Sequence, residues 1–85
     1  MEKPIMIQAT VAVYPLQQTD YAAVHRAINA LQTADVSLEV QRMHTEIAGS
    51  SAAVFQALQA AYEAAAELGP TVMTVTLSNA CPAND

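Results

Sequence analysis

The chain has 85 residues, 53% apolar, with a single cysteine, which allows one domain (1–85) with one core and no internal disulfide. Its net charge is −5, and Lys3, Arg26 and Arg42 are the only cations besides two histidines, which excludes the clustered positive charge that nucleic acid demands. There is no run of about 18 apolar residues for a transmembrane helix, and a lone cysteine without a secretory signal points to the cytoplasm.

Ile5 to Tyr14 is rich in Ile, Val and Thr and predicts a strand stopped by Pro15. Ile7, Ala9, Val11 and Val13 share one face; Gln8, Thr10, Ala12 and Tyr14 share the other. Thr19-Asp20 supplies a helix start, and Tyr21, Val24, Ile28 and Leu31 recur at spacings of three and four, predicting a buried stripe on a helix ending near Gln32. Val36 to Gln41 alternates, as does Met43 to Gly49, so a tight hairpin near Gln41-Arg42 joins two strands.

Gly49-Ser50-Ser51 reads as a turn and cap. From Ala52 to Leu68 the alanine-rich run predicts a helix that buries Val54, Phe55, Leu58, Ala61, Tyr62 and Ala65, and Gly69-Pro70 ends it. Thr71 to Ser78 is the last strand, and residues 1–4 and 82–85 are read as flexible ends. The order βαββαβ predicts a ferredoxin-like α+β sandwich, a four-stranded antiparallel sheet with both helices on one face.

The last strand admits two registers. In one, Met73, Val75 and Leu77 face the helices and Thr74, Thr76 and Ser78 face solvent. In the other, the hydroxyl row faces the helices, where a polar ligand satisfies it, and Thr45 joins the row. Met73, Val75 and Leu77 then lie open with Met6 and Ala12 and mark an interface.

Several short segments in order resemble the YkoF-type thiamin/hydroxymethylpyrimidine-binding proteins. They are Val11-Ala12-Val13-Tyr14-Pro15-Leu16 and Met43-His44-Thr45-Glu46-Ile47-Ala48-Gly49-Ser50. Val54-Phe55, Tyr62, and Val72 through Ser78 into Cys81-Pro82 complete the set. The resemblance implies non-catalytic binding of thiamin or its pyrimidine precursor in uptake or salvage, with no other cofactor. It implies the second register, and assembly through sheet faces as a homodimer or homotetramer. The YkoF-type protein carries two such domains in tandem, and this chain has one.

An aminopyrimidine offers a flat π-face and an edge of donors and acceptors, and hydroxyls suit that edge because they both donate and accept. Thr45, Thr74, Thr76 and Ser78 are the candidate edge contacts, with Tyr62 or Tyr14 stacking on the ring. Cys81 has no histidine at a spacing that would activate it, so a structural or ligand-lining thiol is favoured over a nucleophile. His44 and Glu46 share the outer sheet face without a third metal ligand, and His25 sits one residue off the first helix's stripe. Neither Arg26 nor Arg42 lies in a glycine-rich loop, which argues against the acylphosphatases that share this fold. The competing function is an assembly or regulatory module with no pyrimidine ligand.

Overall fold

The computed structural model describes residues 5–80, so the expectations for the ends and for Cys81 lie outside the described residues. The elements are β1 (Met6–Pro15), α1 (Ala22–Gln32), β2 (Ser37–Val40), β3 (Thr45–Ser50), α2 (Ser51–Ala66) and β4 (Thr71–Ser78). The strands form one antiparallel sheet in the order β2-β3-β1-β4, with both helices packed on one face and against each other. This is the ferredoxin-like α+β sandwich.

The alternation in β1 sets the layers. Ala9 and Val11 are buried beneath the helices with Ile47 of β3. Thr10 and Ala12 point to the opposite, open face. Ser50 caps α2, its hydroxyl accepting from the Ala53 N–H at 3.2 Å, and β3 passes into α2 without a loop. A side chain at Gly49 would meet Val36 at 3.3 Å, so this position on β3 suits the smallest residue. At the other end of α2, Gly69 takes φ 144°, a backbone region that side chains avoid.

The helices bury part of the predicted stripes: Leu31 on α1 and Val54, Leu58, Ala61 and Ala65 on α2 are in the core as expected, and the rest of each stripe differs. On α1 the core residues are Ala23, Ala27 and Leu31, and Tyr21 lies outside the helix and exposed. On α2 they are Val54, Ala57, Leu58, Ala61 and Ala65, while Phe55 and Tyr62 are exposed. Alanine at most of these positions lets the two helices approach each other and the sheet closely, a gain that bulky side chains there would forfeit.

The register of β4 also corrects the expectation drawn from the resemblance. Val75 lies opposite Val11, and Met73 lies opposite Val13, so Met73 and Val75 face the helices and pack on the core. Thr76 lies opposite Thr10, Thr74 opposite Ala12, and Ser78 opposite Gln8, all on the open face and exposed. The physical reason is that this register leaves the hydroxyls in water, whereas burying them unpaired costs about 1–3 kcal/mol each. Thr45 pairs with Val11 and is buried on the helix side, across the sheet from that row.

Candidate functional site

The β1–α1 loop is held by short contacts. Gln17 takes the left-handed backbone at φ 57°, and beside it the Leu16 N–H and the Gln18 side-chain amide both donate to the Pro70 carbonyl, at 2.8 and 2.9 Å. Asp20 Oδ1 then accepts from the Ala22 N–H at 3.1 Å as α1 begins, one of the helix's otherwise unpaired donors. With Ala23, Ala27 and Leu31 committed to the core, Val24 and Ile28 fall on the neighbouring stripe, about 100° round the helix. They look across a gap at the β2–β3 hairpin. Gln41 N–H donates to the His44 carbonyl at 2.8 Å, which closes the hairpin and projects Arg42 and Met43 from its tip.

The gap is a cleft of about 340 Å³ between α1, β1 and the hairpin. Val24, Ile28, Val11, Val13 and Val40 line it, and Thr45 lies among them. Thr45 is 6% exposed and is the one buried polar residue among the described residues. The cleft opens into a wider recess of about 880 Å³, whose lining includes Tyr14, Asp20, Tyr21, His25, Arg42 and Met43. The two share Val13, Tyr21, Val24, Arg42 and Met43. Tyr21 is 72% and Met43 84% exposed, so large apolar side chains stand in water at the mouth.

These groups suit a flat heterocycle with a polar edge. Valine and isoleucine walls give a ring an apolar slot, and tyrosine at the mouth offers a π-face for stacking or for a cation. The Thr45 hydroxyl can donate and accept, and Asp20 and Arg42 put one charge of each sign in the recess. The volume falls within the range of small-molecule pockets.

The six residues expected at the site divide into three places. Thr45 lines the cleft and Tyr14 lines the recess. Thr74, Thr76 and Ser78 form a separate row on the open sheet face, beside Ala12, Thr10 and Gln8. Tyr62, on α2, donates its hydroxyl to the Thr71 carbonyl at 3.2 Å and is spent on holding the start of β4. His44 Nε2 lies 3.2 Å from Glu46 Oε2 on the open face, with no group of three metal-ligating side chains among the described residues. Tyr21, Val24, Ile28 and Met43 were not expected at a site, because the first three read as core. The signal that could have found them is Ala23-Ala27, a competing stripe one residue away that matches the alanines of α2.

Comparison with solved structures gives likenesses of fold. A hypothetical protein from Methanocaldococcus jannascii superposes with a TM-score of 0.81 at 19% identity, covering 87% of this chain and 79% of its own. A Streptococcus pneumoniae protein gives 0.81 at 24% identity, covering 86% and 84%. A Thermotoga maritima protein with a provisional thiamine biosynthesis/salvage designation gives 0.75 at 13% identity, covering 85% and 81%. No curated protein matches the chain. The model of the YKOF-related family matches residues 6–84, which is nearly the whole chain, and the chain belongs to that family.

Proposed function

We propose that this protein binds thiamin or its hydroxymethylpyrimidine precursor in the cleft between α1 and the β2–β3 hairpin, without catalysis, in cytoplasmic vitamin uptake or salvage. The observation that carries the proposal is the cleft itself. Val24 and Ile28 are bulky apolar residues that α1 turns toward a gap while giving its core stripe mostly to alanine. Family membership and the thiamine-related designation of the Thermotoga maritima protein support the ligand class. In this assignment the pyrimidine enters the slot, its edge meets Thr45, and a thiazolium lies at the mouth near Tyr21 and the Asp20 carboxylate. No nucleic acid, membrane or further cofactor takes part.

Titration calorimetry with thiamin and with hydroxymethylpyrimidine tests this. Binding to the wild type is expected, weakened by Tyr21→Ala and unchanged by Thr76→Ala. An absence of heat with either compound contradicts the proposal, as does a loss of binding in Thr76→Ala alone. Incubation with thiamin followed by chromatography is expected to return the ligand unaltered; conversion that scales with protein would make the chain an enzyme.

A second reading, an assembly module without a pyrimidine ligand, is favoured by the open face. On its β4 side that face carries Gln8, Thr10, Ala12, Thr74 and Thr76, uncharged side chains on which a second sheet can lie, while Glu46 opposite Thr10 and Glu39 beyond it charge the β2 side. Assembly there, as a homodimer or homotetramer, is compatible with the cleft being occupied, because the sheet separates the two surfaces.

A further inference from the structure

Among the described residues only β1 and β3 have neighbours on both sides, and the two edges of the sheet are unlike. β2 has four residues, carries Glu39 and is flanked by Asp35 and Arg42, so it is short and charged, as protected edges are. β4 has eight residues and no proline, and no charged residue occurs from Leu68 to Ala80 in a chain of net charge −5. Thr71, Val72, Thr74, Val75 and Thr76 give it strong strand propensity. Apolar side chains stand exposed on both faces beside it: Val72 on the open face, and Leu77 on the helix face. Such an edge offers unpaired N–H and C=O groups to another strand.

We propose that β4 pairs antiparallel with β4 of a second copy, joining two sheets into one. The strand is suited to itself. A two-fold axis perpendicular to the sheet keeps the helices of both copies on one side and sets residues of the same face opposite each other. With the axis at Val75, Met73 meets Leu77 and Thr74 meets Thr76, so apolar faces apolar and hydroxyl faces hydroxyl. Because the strand is neutral, no like charges meet across the seam despite the acidity of each copy. This surface is distinct from the open face and from the cleft, so the pairing stands or falls independently of ligand binding.

Residue-resolved amide hydrogen exchange on the full chain, over a dilution series, tests the pairing. In a lone edge strand every second amide lacks a partner. The expected result is slow exchange at consecutive amides from Val72 to Leu77 in concentrated protein, with alternate ones speeding up roughly tenfold or more on dilution to monomer. Leu77→Glu is expected to remove that concentration dependence while leaving the monomer's circular dichroism unchanged, and Thr10→Arg on the open face is expected to leave it intact. Fast exchange at alternate β4 amides in concentrated protein overturns the proposal. So does protection that persists unchanged in the monomer, or that survives Leu77→Glu. If Leu77→Glu fails to fold, the wild-type dilution series still decides.

Discussion

Thr45 is a polar residue among apolar neighbours, and its place on β3 opposite Val11 brings it to the cleft rather than to the open face. A hydrogen bond from its hydroxyl to a ligand is worth about 1 kcal/mol net, which is roughly fivefold in affinity. Thr45→Val is therefore expected to weaken thiamin binding about fivefold in calorimetry while leaving the folded protein at least as stable, because the substitution adds a methyl group to an apolar wall. Gly69 is a residue of the opposite kind, fixed by backbone alone. At φ 144°, and with Gln18 3.3 Å from where a Cβ would sit, Gly69→Ala is expected to cost about 1 kcal/mol or more in urea denaturation. The exposed Arg26–Glu67 ion pair, which ties α1 to the end of α2, makes a contrast: Arg26→Gln is expected to change stability by less than about 1 kcal/mol.

At the scale of elements, the helices owe their spacing to alanine. Ala27 and Ala61 are both fully buried. Ala61→Leu is expected to destabilise the fold by roughly 1–3 kcal/mol, read as a lowered denaturation midpoint, because the added methylenes find no space. This packing also explains what the sequence left hidden. The alternation of β1 and the turn at Gln41-Arg42 are visible in the residues, since apolar and polar positions there differ in kind. On α1 two stripes compete, and large side chains alone favour Tyr21-Val24-Ile28; only the alanine content of α2, distant in sequence, tells which stripe it needs. On β4 one row is Val72 with the hydroxyls of Thr74, Thr76 and Ser78 and the other is Met73, Val75 and Leu77; both suit a strand, the resemblance turns the hydroxyls inward, and pairing with β1 turns them outward. The expected hydroxyl pocket was lost for that reason, while Thr45, placed by the clear alternation of β3, kept its position on the helix side.

The whole molecule is a thin sandwich that divides its work between faces and edges. One side of the sheet carries the helices and the cleft; the other is open, and β4 borders both. A domain of this size has a modest core, so occupation of the cleft registers strongly in its stability. Ligand at about a hundred times its dissociation constant adds roughly 2.7 kcal/mol, which is a rise of several degrees in thermal midpoint. Truncation of a fully buried core residue such as Ile47 to Ala, at roughly 2–5 kcal/mol, consumes much of the stability available to 85 residues. The most direct test of the central claim is a titration of isotope-labelled protein with thiamin, followed by amide chemical shifts. The cleft assignment predicts saturable shifts at Tyr21, Val24, Ile28 and Thr45, with Thr10, Thr74 and Thr76 unmoved. Shifts confined to the open-face row, or none at saturating thiamin, would contradict it.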